Sequence, residues 1–216
     1  MINITDISLV LILLSVLLSL ASSRLIALVK IMAVQGILVS LLPLFLQHFS
    51  NMGSGGLIFF QVMILIKGVL IPGLLFIALK RVVIRREIEP IIGYHASLFA
   101  GLVIILISVY MTNRLAHLSV NNAMLLTTAI TTMSAGFFLM MSRRKAITQV
   151  IGYLMLENGI YMVGTALTKH SHTVYVIEFG VLLDLLVGVM IMGIILNNIN
   201  HAFDDIDTDL LNRLKD

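Results

Sequence analysis

Long apolar runs separated by short polar breaks make up almost the whole chain. Each run has about the 20 residues that a helix needs to cross the hydrocarbon core of a bilayer. The pattern therefore predicts an all-α, polytopic integral membrane protein with about seven transmembrane helices. The predicted spans are 5–22, 25–47, 56–79, 95–112, 122–141, 146–168 and 174–197.

The break between the first two runs is the shortest in the chain. Only Ser23 and Arg24 lie between the predicted ranges. A tight turn between two spans and a re-entrant bend both fit this spacing. The second alternative would reduce the number of spans to six.

The composition indicates that lipid surrounds most of the chain. Hydrophobic residues make up 59% of the 216 residues and charged residues 12%, and the mean hydropathy is +1.08. These values are too apolar for a soluble domain, whose surface must be wetted. The chain has no cysteine, which excludes disulfides, thiolate metal sites and iron–sulfur clusters held by this chain. The six histidines lie in loops or at run ends, and no pair has the setting of a metal site.

Basic residues are concentrated in alternate connections between the runs. One side carries Arg24, Lys30, Lys80, Arg81, Arg85, Arg86, Arg143, Arg144 and Lys145, whereas the other side carries only Arg114 and Lys169. By the positive-inside rule, the strongly basic side faces the cytoplasm. We therefore predict a protein of the inner (cytoplasmic) membrane with its N-terminus outside and its C-terminus in the cytoplasm. Since the net charge of +3 follows from this orienting pattern, no nucleic-acid partner is expected.

Four ionisable residues fall well inside the predicted spans: Lys67, Glu157, Glu178 and Asp184. Three of them lie about midway along their runs, whereas Glu178 is closer to the outer end. An unpaired charge at the membrane centre costs about 3 kcal/mol or more, so such residues usually face a partner or a water path. A buried carboxyl beside an ammonium group can serve a proton relay. The alternative is a static ion pair that only holds the bundle together.

The sixth run carries a polar stripe. Tyr153, Glu157 and Tyr161 recur at intervals of four residues and therefore share one face of the helix. Pro72 should kink the third run close to Lys67. The predicted proton path consists of Glu157, Asp184, Lys67, Glu178, Tyr153 and Tyr161. No phosphate-binding glycine loop or nucleophile elbow occurs, so a self-contained enzyme is not expected.

Small residues on the last two runs suggest that these two helices approach closely. They are Gly152, Gly159 and Gly164 on the sixth run and Gly180, Gly188 and Gly193 on the seventh. Glycines allow helix backbones to come into contact inside a membrane. We expect this contact to bring Glu157 close to Asp184.

Several of these segments resemble one protein family. They are Arg143-Arg144-Lys145, the stretch from Ile151 to Gly159 with its Glu157-Asn158-Gly159 motif, the acid-bearing helix around Asp184, and the stretch from Leu65 to Pro72. Together they resemble hydrogenase-4 component E. This family supplies a membrane subunit to formate hydrogenlyase and group 4 membrane-bound NiFe-hydrogenase complexes. The resemblance extends across most of the chain.

The last three predicted helices, 122–197, are similar to subunit K of respiratory complex I and to the corresponding small subunit of multisubunit cation/proton antiporters. In those relatives, two helices each carry a carboxylate on the proton path, and Asp184 matches the second of them. Glu157 lies four residues beyond the position of the first, which places it on the same face about 6 Å deeper. The resemblance implies an N-terminal four-helix region at 1–121, this three-helix region, and a polar cytoplasmic tail at 198–216.

The resemblance also implies a function and a set of partners. It describes a non-catalytic subunit that contributes buried carboxylates to proton translocation in an energy-converting complex. The expected partners are antiporter-like membrane subunits, other membrane-arm subunits, a peripheral hydrogenase module and the lipid bilayer. No cofactor is expected in this chain, since the NiFe and Fe–S centres belong to partner subunits. The alternatives are a subunit of a cation/proton antiporter and a non-conducting scaffold.

Overall fold

The computed structural model describes residues 3–46, 61–81, 91–115 and 122–167, together with Val187, Gly188, Met190, Ile191 and Gly193. Every regular element of the first four ranges is a helix. The helices are α1 (Ile4–Ala21), α2 (Leu25–Leu46), α3 (61–81), α4 (Tyr94–Leu115), α5 (Ala123–Ser142) and α6 (Ala146–Leu167). The predicted all-α fold is confirmed for this part of the chain.

Five of these helices, α1 to α5, are long and apolar enough to cross a membrane. In α3 the apolar stretch is Gln61–Leu79. Helix α6 is as long as α2, with 22 residues each, but polar residues such as Gln149 and Asn158 make it less apolar. These apolar helices agree with a polytopic membrane protein. The seventh predicted span, 174–197, lies mostly outside the described residues, as does the tail at 198–216, so the count of seven stays a prediction.

The first two runs form two separate helices. Helix α1 ends at Ala21 and α2 begins at Leu25. The two helices pack against each other. The short break between them is therefore a tight turn, and each of the two helices is long and apolar enough to cross a membrane. This geometry agrees with two separate spans, and the number of spans stays a prediction.

Four helices form a closed ring. Helix α1 packs against α2, α2 against α6, α6 against α5, and α5 against α1. Helix α3 packs outside this ring against α2, and α4 packs outside it against α1 and α5. The outer face of α4 carries large apolar side chains with high exposure, such as Phe99 and Leu106. Such a face is suited to lipid or to another membrane subunit.

Helices α5 and α6 are packed so closely that their backbones touch at glycines. A Cβ atom at Gly136 would lie 2.5 Å from the backbone N of Leu156, and one at Gly159 would lie 2.5 Å from the backbone N of Met133. The Cβ position of Gly152 is 3.0 Å from the carbonyl oxygen of Gly136. Gly152 and Gly159 therefore face α5. Most of the seventh run lies outside the described residues, so its close approach to α6 stays a prediction.

The buried apolar side chains form two clusters at opposite ends of the bundle. The cluster nearer Arg143, named the Arg143-end core, includes Leu20, Leu28, Leu75, Leu139 and Ile151. The other cluster, named the far-end core, includes Leu9, Val39, Met63, Leu126 and Met162. Helices α1, α2, α3, α5 and α6 contribute to both cores. Each of these helices therefore passes from one core into the other near its middle.

Buried polar residues lie on these five helices where the two cores meet. We name this set the midplane polar layer, and its members are Ser15, Gln35, Lys67, Thr131, Thr132, Glu157 and Asn158. The hydroxyls of Ser15 and Thr132 donate to carbonyl oxygens of their own helices, as is common for such residues in helices. Lys67 instead bonds to another helix, and this contact forms the candidate site.

Candidate functional site

Lys67 lies where α3 departs from regular α-helical geometry. Ile66–Leu70 form a π-helical turn, and the N–H of Ile71 donates to the carbonyl oxygen of Ile66. Pro72 follows directly. A proline ring clashes with the carbonyl group four residues earlier in a regular α-helix, and a wider turn relieves this clash. The disturbance that Pro72 predicted near Lys67 is therefore present as a π turn.

The ammonium group of Lys67 lies among three polar groups of α6. Its Nζ donates to Oε1 of Glu157 and forms an ion pair with that carboxylate. It also donates to Oδ1 of Asn158 at 3.2 Å, and it lies 5.5 Å from the centroid of the Tyr161 ring, within the range of a cation–π contact. Lys67 is 5% exposed and Glu157 is 1% exposed. The pair is thus buried inside the bundle.

A close approach of α2 allows this burial. The Cβ position of Gly36 is 3.1 Å from the carbonyl oxygen and 3.2 Å from the Cβ atom of Lys67, so a larger residue would push α2 away from the π turn. Gly36, Lys67, Glu157 and Asn158 line a small cavity together with apolar side chains. Its volume is about 10 Å³, close to what one water molecule requires. Oε2 of Glu157 has no hydrogen-bond partner among the described residues.

The structure brings together three of the six predicted path residues: Lys67, Glu157 and Tyr161. Tyr153 lies one turn from Glu157 on the same face and packs against the Arg143-end core. Asp184 and Glu178 lie outside the described residues, so their place in the path stays a prediction. The expectation that Glu157 meets Asp184 is likewise untested.

Sequence reasoning missed three buried polar residues near this pair. Asn158 does not belong to the predicted path, although it is a second acceptor for Lys67. Gln35 and Thr131 do not belong to the predicted path either, and both are fully buried. A glutamine in the middle of an apolar span was the available signal for Gln35, since its amide needs hydrogen-bond partners wherever water is excluded.

Arg143 forms a second buried cation at the ends of the helices. Its Nη2 donates to the carbonyl oxygen of Leu20 at 2.9 Å and its Nη1 to that of Ile92 at 3.2 Å. The guanidinium group lies 5.1 Å from the centroid of the Tyr94 ring. Burial lowers the pKa of Arg143, and the nearby Tyr94 opposes this shift. Arg143 therefore fastens α1, α4 and α5 together, beyond the orienting role that the sequence predicted.

In its described part the chain is an all-helical protein suited to a membrane. Its distinguishing feature is an ion pair buried between two apolar cores. The chain is similar to the uncharacterized protein Rv0085 of Mycobacterium tuberculosis (strain ATCC 25618 / H37Rv). The two are 28% identical over 195 residues, which cover 88% of this chain and 86% of that protein. No family model matches the chain, and no solved structure matches it.

Proposed function

We propose that this chain is a non-catalytic membrane subunit of an energy-converting NiFe-hydrogenase or formate hydrogenlyase-type complex, and that it contributes buried carboxylates to a proton path. Glu157, paired with Lys67, is the proton-carrying group in the described part of the chain. The observation that carries this proposal is the buried ion pair at the junction of the two apolar cores. Charged groups inside a membrane are costly and usually belong to functional sites.

The surroundings of Glu157 favour proton transfer over a static ion pair. A buried ion pair stabilises a protein only when its remaining lone pairs are also satisfied. Oε2 of Glu157 has no partner in the described structure, and the cavity beside the pair is close to the size of one water molecule. Water at this point would connect the carboxylate to further polar groups, as a proton path requires.

The identity of the complex rests on the resemblance of the motifs around Lys67, Arg143 and Glu157 to hydrogenase-4 component E. The proposed partners are the antiporter-like subunits, the other membrane-arm subunits and the hydrogenase module. The NiFe and Fe–S centres are expected in partner subunits and not in this chain. The proposed location is the inner membrane, with the loop at 143–145 in the cytoplasm.

Purification of the tagged chain from native membranes tests the identity of the complex. In mild detergent we expect it to bring down NiFe-hydrogenase subunits and antiporter-like subunits, which mass spectrometry identifies. Recovery of antiporter subunits without any hydrogenase subunit would overturn the hydrogenase assignment and support the antiporter alternative.

Replacement of Glu157 by glutamine tests the proton path. Glu157→Gln keeps the size of the side chain and removes its titratable carboxyl group, so proton uptake by inverted vesicles during the redox reaction should fall by about 100-fold, as for loss of other acid–base groups. Asp6→Asn is the matched control, since Asp6 lies in the first turn of α1, away from the layer. Normal proton uptake by an assembled Glu157→Gln complex would remove Glu157 from the path. Normal uptake by the assembled double variant Glu157→Gln/Asp184→Asn would leave only the scaffold alternative.

A further inference from the structure

The midplane polar layer contains buried polar atoms without hydrogen-bond partners outside the Lys67–Glu157 ion pair as well as within it. Gln35 on α2 is fully buried, and neither Oε1 nor Nε2 has a hydrogen-bond partner within the described ranges. Thr131 on α5 is also fully buried, and its Oγ1 likewise has no hydrogen-bond partner within the described ranges. With Oε2 of Glu157 on α6, three helices of the ring each present such a group.

The helix contacts place these groups at similar depths. Gly36, next to Gln35, touches the backbone of Lys67, so Gln35 lies level with the ion pair. Gly159 touches Met133 across the antiparallel pair of α5 and α6. In that register Thr131 is about four residues, or about 6 Å, from the level of Glu157 along the helix axis.

Neighbouring polar side chains show that the fold normally satisfies such groups. Thr132, adjacent to Thr131, donates to the carbonyl oxygen of Thr128 at 2.7 Å. Ser40, one turn beyond Gly36, donates to the carbonyl oxygen of Gly36 at 2.8 Å. Buried polar atoms without hydrogen bonds are rare because water must be given up without replacement. The unpartnered atoms of Gln35, Thr131 and Glu157 therefore call for a ligand that both donates and accepts.

We propose that Gln35 and Thr131 bind internal water. This water extends the Lys67–Glu157 pair into a hydrated path that runs within the four-helix ring from α2 past α6 to α5. Water can accept from Nε2 of Gln35 and donate to its Oε1 and to Oε2 of Glu157. The cavity beside Glu157 is lined by Gly36, the residue next to Gln35. The use of this path by protons rests on the proposed function, whereas the binding of water does not.

Radiolytic hydroxyl-radical footprinting of the full chain in membrane vesicles tests the binding of water. Internal water produces radicals at the site, and these oxidise adjacent methionines. Met32 lines the cavity and is 5% exposed, whereas Met162 is fully buried in the far-end core. We expect Met32 to be oxidised faster than Met162 in the natural protein. Equal protection of the two methionines would show a dry layer and overturn the proposal.

Two apolar variants assign the water to its side chains. Gln35→Leu and Thr131→Val should lower the oxidation of Met32 towards that of Met162. Thr132→Val is the matched control, since Thr132 is equally buried but its hydroxyl bonds to its own helix. An equal effect of Thr131→Val and Thr132→Val would indicate altered packing and overturn the assignment. If Gln35→Leu does not accumulate in the membrane, the threonine pair still decides.

Proton uptake by the same variants separates this inference from the proposed function. We expect Gln35→Leu to slow uptake by at least about tenfold per assembled complex, and Thr132→Val to leave it unchanged. Normal uptake in Gln35→Leu, where Glu157→Gln abolishes it, overturns the hydrated path and leaves the proposed function standing. Normal uptake in both Gln35→Leu and Glu157→Gln removes Glu157 from the proton path and overturns the use of the hydrated path by protons, while the footprints still decide whether water binds.

Discussion

Two cations among the described residues, Lys67 and Arg143, are buried in surroundings that differ in kind. Lys67 lies in the middle of the bundle and pairs with Glu157, a group that can take up a proton. Arg143 lies at the helix ends and donates to the carbonyl oxygens of Leu20 and Ile92. These backbone carbonyls cannot take up a proton. Both side chains are almost completely buried, so burial alone does not distinguish a functional cation from a structural one.

The difference lies in what the partners can do. Backbone carbonyls are fixed acceptors, and that of Leu20 lies at the C-terminus of α1, where the helix favours a positive charge. A guanidinium group stays protonated in proteins. The Arg143 contact is therefore a permanent clamp. A lysine and a carboxylate can both change protonation state, so the contact of Lys67 with Glu157 can change charge during a reaction cycle.

The largest effect is expected from removing the charge of Lys67. Lys67→Met leaves Glu157 without its ammonium partner, and breaking a buried ion pair in this way costs about 3–5 kcal/mol of stability. The double variant Lys67→Met/Glu157→Gln should recover most of the loss, because no charge remains unmatched. Lys30→Met, at an exposed lysine of α2, is the matched control and should cost little. Unfolding of the purified proteins measures these differences.

Lys67→Arg then distinguishes a relay from a static pair. Arginine keeps the charge but does not release its proton. If Lys67 itself passes protons, the variant should assemble normally and take up protons poorly. A static pair predicts that Lys67→Arg retains both assembly and proton uptake. Full uptake by an assembled Lys67→Met complex would remove Lys67 from the path.

A smaller effect is expected where α6 is held against α5. Gly159→Ala would place a Cβ atom 2.5 Å from the backbone N of Met133, so α6 must shift and carry Glu157 with it. Overpacking of this kind costs about 1–3 kcal/mol. Gly73→Ala is the control, because no described atom lies within 4 Å of its Cβ position. Equal stability of the two variants would contradict the close backbone contact of α5 and α6.

Arg143→Lys should destabilise the protein by about 1–3 kcal/mol, because one ammonium group cannot reach both carbonyl oxygens and leaves one buried acceptor unpaired. Proton uptake per assembled complex should stay normal, in contrast to the Lys67 variants. Arg144→Lys is the control at the neighbouring exposed position. A loss of uptake without a loss of stability in Arg143→Lys would place Arg143 in the proton path instead.

The last prediction concerns orientation and should leave stability unchanged. The chain has no cysteine, so Arg144→Cys introduces a single reactive thiol at an exposed position. An impermeant thiol reagent should label it in inverted vesicles and not in intact cells. Labelling from outside intact cells would reverse the predicted orientation of the loop that contains both Arg143 and Arg144.

The sequence predicted the helices of the described part well because length and hydropathy dominate that choice. A run of about 20 apolar residues in lipid must satisfy its own backbone hydrogen bonds, and only a helix does so within one segment. The ends of α2, α5 and α6 therefore lie close to the predicted ends. The same reasoning placed Lys67 and Glu157 near the middle of their spans.

Pairing could not be predicted in the same way. Judged by depth in the membrane alone, Lys67 could pair with either Glu157 or Asp184. Which of them it contacts depends on how each helix is rotated about its own axis, and the neighbouring helices determine that rotation. The contact with Glu157 arises because the π turn and the close approach of Gly36 present Lys67 to α6. Gly159 faces α5 for a related reason, since small residues permit a close contact without specifying which helix makes it.

The amino-acid sequence alone predicts an all-helical chain suited to a membrane, with charges where lipid makes them costly. Those properties depend on the run lengths and on the depth of each residue, which can be read along one dimension. The tertiary structure was needed to show that Lys67 pairs with Glu157 and that Arg143 donates to a carbonyl oxygen at the end of α1. It was also needed to place Gln35 and Thr131 in the midplane polar layer with that ion pair. These contacts depend on the rotation and packing of whole helices, which many distant side chains determine together.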